Sequence, residues 1–296
     1  MIGEDVACWP SGLKSARNDV NKRLRSQPEG RRYLKAVPFQ GIASCRVSRV
    51  ARSQFLVFVA WLITASASLF SQQQQQTFKI TPLKPVPQLR AEALKASPPA
   101  ENSNLRKPDL VELVQLDPTI KLDIHYASDN NFMGTPFYTQ ARAFLQRPAA
   151  EALIRANKQL HEQGYGLLIF DGYRPWYVTK MFWDGTPPED HLYVADPAKG
   201  SKHNRGCAVD LTVYDLRTGQ PLEMPSGYDE MSERAHSDYA GGTAKQNANR
   251  ALLRNVMEAQ GFVVNPNEWW HFDYKDWEQY PIMNVPFEEL SATKPN

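Results

Sequence analysis

Apolar residues recur at helical spacing in "AAEALIRANKQLHEQG", where Ala149, Leu153, Ala156 and Leu160 fall on one face. Gly164 follows as a natural left-handed stop. The next stretch, "YGLLIF", is a short apolar run that reads as a buried strand, and "DGYRP" (171–175) reads as a polar loop. The same grammar returns later. Thr243 and Gln246 have capping-box spacing ahead of a helix carrying Leu252, Leu253 and Val256, and Gly261 closes it. "FVV" then makes a strand and "NPNEWWHF" follows it. Between these halves, "CAVDLTVYD" sets Leu211 and Val213 against Asp210, Thr212 and Tyr214, the alternation of a half-buried strand. Helices mixed with short strands, and no repeat of fixed period, predict an α+β fold. The expected architecture is a single domain with a central, mostly antiparallel sheet flanked by helices.

Upstream the pattern changes. Residues 72–108 open with "QQQQQ" and continue through a proline-rich stretch with few large apolar side chains. Such a segment buries too little surface to offset its ordering entropy, so it reads as a Gln/Pro-rich linker to a folded unit over 109–290. Before it, "FLVFVAWLI" (Phe55 to Ile63) is preceded by Arg46, Arg49 and Arg52 and followed by Ala65-Ser66-Ala67. Basic region, short apolar core and small-residue exit is the order of a secretory signal. The apolar run falls short of the roughly 20 residues a spanning helix needs. Residues 53–71 are therefore expected to be a signal peptide or, if uncleaved, an anchor that contacts the membrane through residues 55–70. The protein is then exported, to the periplasm or the extracellular space. Residues 1–52 lack periodicity and read as a basic N-terminal extension, disordered or upstream of the true start.

Charge adds one exclusion. The 296-residue chain has a net charge of +2, yet residues 1–52 alone carry 11 Lys/Arg against 4 Asp/Glu. The basic excess is local and the remainder is acidic, so no nucleic-acid groove is expected. Three cysteines (Cys8, Cys45 and Cys207) form neither a disulfide framework nor a C-x-x-C zinc site.

Candidate chemistry lies in "GSKHNRGCAVDLTVYD", where His203 and Asp210 stand seven positions apart, and in "NEWWHF", which holds Glu268 and His271. Two imidazoles and a carboxylate are a donor set that catalytic zinc accepts, with one position left for water. A nearby carboxylate outside that set can move the water's proton. Glu268 suits this role only if the chain bends, because strand residues three apart face opposite sides. The Asn-Pro-Asn turn at 265–267 is expected to supply the bend. Each fragment also has a plain reading: a hairpin with polar residues in water, an Arg174–Asp171 pair, a solvated acidic run at Asp229, Glu230 and Glu233.

Together the motifs are more specific. "SKHNRGCAVDLT", "EWWH" and "DGYRP", with "HYASDNNFMGTPFY" and "MPSGYDEMSERAH" in the same order, resemble the zinc D-alanyl-D-alanine dipeptidases of the metallo-DD-peptidase (peptidase M15) family. The resemblance covers roughly residues 109–285 and implies a hedgehog/DD-peptidase-like fold. It implies one Zn2+ per chain held by His203, Asp210 and His271, with Glu268 as catalytic base and Arg174 stabilising the oxyanion. It further implies that Asp229 holds the substrate's ammonium group, that Tyr126 lines the same pocket, and that Ser201 recognises the substrate's C-terminal end. The substrate would be a small D,D-dipeptide. Alternatives are a carboxypeptidase acting on peptidoglycan stems and a zinc-bearing cell-wall binding module without activity. The chain departs from the family at Lys202, where a small hydroxyl residue is usual; this lysine would either pair with the substrate carboxylate or point to solvent, and solvent is the expectation. The chain departs again at Cys207, read as a buried packing thiol.

Overall fold

A five-stranded sheet carries Asp210, Glu268 and His271, and the other candidate residues lie on loops and short turns beside it. The computed structural model describes residues 78–102 and 104–290. The expected N-terminal extension and signal-like segment lie outside the described residues. In chain order the elements are α1 (Val86–Ala93), β1 (Leu110–Glu112), α2 (Leu113–Leu116), β2 (Lys121–Leu122), β3 (Phe144–Gln146), α3 (Arg147–His161), β4 (Tyr165–Asp171), α4 (Trp176–Gly185), β5 (Ala208–Asp215), α5 (Ala244–Ala259), β6 (Phe262–Asn265) and β7 (Glu268–Tyr274). Short 3-10 turns link several of them. The sheet runs β2-β4-β5-β7-β6. Only β2 runs parallel to its neighbour; the other pairings are antiparallel. β1 and β3 form a separate antiparallel pair. The expected α+β architecture is the one observed.

The two helix–strand halves follow the sequence pattern. Ala149, Leu153, Ala156 and Leu160 of α3 are fully buried, and Gly164 (φ +84°) turns the chain into β4. Helix α5 opens on the complete Thr243–Gln246 capping box, which satisfies two otherwise orphaned donors. It buries Leu253, Val256 and Met257.

Two expectations need correction. β5 is not half-exposed: Asp210, Thr212 and Tyr214 are as enclosed as Leu211 and Val213. It is a central strand between β4 and β7, and its polar face is covered too, with Tyr214 donating to the Thr119 carbonyl (3.2 Å). Alternation therefore marks a site-bearing face here rather than a solvent face.

The linker expected over 72–108 is not a tether where it is described. Ile80 N–H donates to the Phe132 carbonyl (2.8 Å) and Leu83 N–H to the Gly185 carbonyl (2.9 Å). Leu89 and Ala93 of α1 are fully buried, and α1 packs on α4. Prolines lower the entropy lost on ordering, so a few apolar side chains suffice to dock this strap. No helix among the described residues is long and apolar enough to cross a membrane.

A candidate metal centre and the groups around it

Strand register brings two of the three expected ligands together. Asp210 on β5 is the cross-strand partner of His271 on β7, so their side chains rise side by side from one face. The third, His203, opens the 3-10 turn His203–Arg205. Gly206 (φ +66°) then reverses the chain into β5 in a conformation that a residue with a Cβ resists. Donor atoms of His203, Asp210 and His271 lie within 4.8 Å of one another, and all three residues are buried.

Hydrogen bonding fixes which nitrogens face inward. His203 Nδ1 lies 2.7 Å from the Gly172 carbonyl, which can only accept, so Nδ1 carries the proton and Nε2 a lone pair. His271 Nε2 lies 2.9 Å from Asp273 Oδ1, which leaves the lone pair on Nδ1. These two bare nitrogens are 3.1 Å apart. Asp210 Oδ1 sits 3.3 Å from the first and 3.1 Å from the second, and no hydrogen-bond donor reaches it. Three buried lone pairs aimed at one another repel unless a cation lies among them. The donor set thus fits a divalent ion. Burial alone would raise the Asp210 carboxyl's pKa; positive charge at the two imidazoles, which a bound cation would supply in their place, holds it far below the usual range. Its other oxygen accepts from Tyr228 Oη at 3.0 Å.

Glu268 stands beside this cluster, its Oε2 3.6 Å from His271 Nδ1 and accepting from Asn265 Nδ2 at 2.8 Å. The bend comes from within the ladder as well as from the turn. Asn265 pairs with Glu268 but Val264 pairs with Phe272, so residues 269–271 of β7 bulge away from β6. That irregularity lets residues three apart share a side. Burial pushes the Glu268 carboxyl's pKa up and Asp210 adds to it, while His271 opposes.

Arg174 fits both readings of its sequence context. Its Nε and Nη2 donate to Asp171 Oδ2 at 2.9 and 2.8 Å, and Asp171 Oδ1 accepts from Tyr138 Oη and Gly172 N–H, both at 2.9 Å. The guanidinium also lies 3.7 Å from Asp210 Oδ2 and over the rings of Tyr126 and Phe182. Burial opposes its charge, but Asp171 and, with it, Tyr126, Tyr138 and Asp210 together outweigh that and push the guanidinium's pKa up. A bulge in β4 between Ile169 and Asp171 aims Asp171 inward.

Asp229 is half-buried, and both carboxylate oxygens lie within reach of Tyr126 Oη (3.0 and 2.9 Å). It is the only non-glycine with positive φ (+57°) among the described residues, a strained conformation of the kind held at functional sites. Burial and the nearby Asp210 push its pKa well above the usual carboxyl range. Ser201 is buried, with Oγ accepting from His203 N–H at 3.2 Å. All eight residues singled out in the sequence line one cleft of about 420 Å³.

Lys202 is not merely solvent-facing: its Nζ lies 2.6 Å from Asp273 Oδ2. Cys207 is a buried free thiol, its pKa pushed up to about 12 by burial. The sequence offered Asp171 as a partner of Arg174, but sequence reasoning did not find Tyr228 or Asp273 as partners of the cluster. For Asp273 the i, i+2 spacing from His271 on a strand was an available signal.

Residues 106–290 match the profile of the peptidase M15 family, described as D-Ala-D-Ala dipeptidase. The D-alanyl-D-alanine dipeptidase of Escherichia coli is 37% identical over 179 residues, which span 60% of this chain and 91% of that protein. Those of Enterococcus faecium and Streptomyces coelicolor are 37% and 35% identical over 183 residues, spanning 55% of this chain and 89% of each relative. With most of the relatives' length covered and more than half of this chain matched, the chain belongs to the peptidase M15 family of metallopeptidases.

Proposed function

We propose that this protein is a zinc-dependent dipeptidase that hydrolyses D-alanyl-D-alanine to two D-alanines. One observation carries the reading: three buried lone pairs, on His203, Asp210 and His271, converge beside Glu268 and Arg174 in the cleft that also holds Asp229. The dipeptidase relatives support the same substrate. His203, Asp210 and His271 would hold one Zn2+ per chain, a nitrogen–oxygen donor set that suits this ion. Bound there, zinc supplies a Lewis acid that acidifies a water and polarises a carbonyl.

The protein's own groups then divide the work. Glu268, its basicity raised by burial, accepts a proton from the attacking water as the oxygen adds to the scissile carbonyl carbon. Arg174, fixed by Asp171, stabilises the negative charge that grows on the carbonyl oxygen. The C–N bond breaks as Glu268 returns the proton to the leaving amine. Asp229, oriented by Tyr126, pairs with the substrate's free ammonium group, and Ser201 meets its C-terminal end. The ammonium's positive charge offsets the burial and repulsion that raise the Asp229 carboxyl's pKa in the protein alone. A carboxylate at this point rewards a free amino terminus and penalises a peptide nitrogen, which is neutral. That favours a free dipeptide over a peptidoglycan stem.

Arg46, Arg49, Arg52, the apolar run Phe55 to Ile63 and Ala65-Ser66-Ala67 support export. The exported enzyme would act on dipeptide outside the cytosol, in cell-wall turnover or salvage. Fractionation finding the mature protein in the cytoplasm would reject that location. For the activity, free D-Ala-D-Ala and an amino-blocked D-Ala-D-Ala tripeptide are assayed with and without chelator. Chelator-sensitive hydrolysis of the free dipeptide alone is expected. Preference for the blocked tripeptide would overturn the dipeptidase reading.

A further inference from the structure

The candidate centre has a built-in clamp on one of its imidazoles. Asp273 lies two residues beyond His271 on β7, on the same face of the strand. Its two oxygens are divided between two partners. Oδ1 takes the His271 Nε2 proton at 2.9 Å, and Oδ2 takes Lys202 Nζ at 2.6 Å. Lys202 adjoins His203 in the chain, and its ammonium lies over the Trp277 ring at 5.2 Å, which limits its freedom. Both Lys202 and Trp277 line the cleft. The ladder places Ala208 opposite Asp273, so a small side chain leaves room for the carboxylate.

We propose that Asp273 is a positioning residue for the metal site and that Lys202 locks it in place. The inference rests on the zinc reading above. A free aspartate can rotate away or offer either oxygen; with Oδ2 held by the ammonium, Oδ1 stays aimed at His271 Nε2. That contact fixes the tautomer and ring angle of His271 and keeps the Nδ1 lone pair pointed at Asp210 and His203. Lys202 thus acts through a second residue rather than on the substrate. His203 has a backbone counterpart in the Gly172 carbonyl, which cannot swing. His271 depends on a side chain, and a side chain needs a lock.

The test measures zinc affinity by chelator competition in the full chain, for wild type, Asp273→Ala, Asp273→Asn and Lys202→Met. The visible spectrum of each cobalt-substituted protein reports ligand geometry independently of turnover. Removing the partner of a metal-ligating histidine weakens metal binding by about 10–100-fold, so Asp273→Ala should fall in that range with altered cobalt bands. Asp273→Asn keeps an oxygen acceptor for Nε2–H and should recover most of the loss. Lys202→Met should lie between wild type and Asp273→Ala. Zinc affinity of Asp273→Ala within about twofold of wild type, with an unchanged cobalt spectrum, would overturn the proposal. So would an Asp273→Asn no better than alanine. If the wild type itself takes up no zinc, the underlying reading falls, and that result differs from either of these.

Discussion

Asp229→Asn separates the charge of Asp229 from its shape. Asparagine still accepts from Tyr126 Oη, which lies 2.9–3.0 Å from the carboxylate, and it tolerates the left-handed φ of +57°. Only the negative charge is lost. If that charge pairs with the substrate's ammonium, removing it leaves a cation partly desolvated in the cleft. Truncating one member of such a pair costs about 2–5 kcal/mol, or roughly 30- to 4,000-fold in kcat/KM. The assay compares free D-Ala-D-Ala with its N-acetyl derivative, which has no ammonium. The wild type should strongly prefer the free dipeptide, and Asp229→Asn should lose that preference while keeping its zinc. An unchanged ratio would refute the role. Stability should move the other way. Burial, followed by repulsion from Asp210, raises the Asp229 pKa in the folded protein. The carboxyl's favourable contribution is therefore present below its unfolded pKa of about 3.9 and lost as pH rises through the folded value. Asparagine does not titrate. The variant's gain in Tm over wild type should be small near pH 4 and grow toward neutral pH; a gain that shrinks with rising pH would reject this account of the carboxyl.

Three further substitutions probe other parts of the account. Glu268→Gln keeps the side chain's size and should retain zinc while turnover falls about 10²–10⁴-fold; near-wild-type turnover would exclude Glu268 as the base. Arg174→Lys should lower kcat by about 10²–10³-fold with little change in KM, because lysine cannot hold Asp171 with two donors and reach the cleft as well. A change confined to KM would assign Arg174 to ground-state binding. Leu89→Ala, in the strap that the sequence suggested was a linker, should destabilise the fold by about 2–5 kcal/mol in denaturant melts. A change below about 0.5 kcal/mol, the range of a surface substitution, would mean that the strap does not dock.

What the sequence made legible follows from how each feature is encoded. The α3–β4 and α5–β6 units rest on local pattern: a 3.6-residue period, the Thr243–Gln246 cap, and a glycine after each helix. The ligand set was legible because the motifs, taken together and in order, resemble a known family; the spacing of either fragment alone would not have carried it. Neither the register that sets Asp210 against His271 nor the bulge that turns Glu268 inward is written in local composition, since both depend on strands far apart in the chain. The strap failed for a related reason. Leu89 and Ala93 are too few to predict a buried helix, and only the surface of α4 makes their burial worthwhile. Asp273 and Tyr228 were overlooked because a hydrogen-bond partner needs only an acceptor or a hydroxyl within reach, and sequence alone does not say what is within reach.

The central claim is that His203, Asp210 and His271 together hold one catalytic ion. Its most direct test titrates chelator-stripped protein with zinc while following D-Ala-D-Ala hydrolysis, in the wild type and in His271→Ala. Activity of the wild type should rise from nothing to a plateau at one equivalent per chain, and His271→Ala should stay inactive at that loading. Hydrolysis by the stripped protein, or a His271→Ala variant that follows the wild-type curve, would contradict the claim.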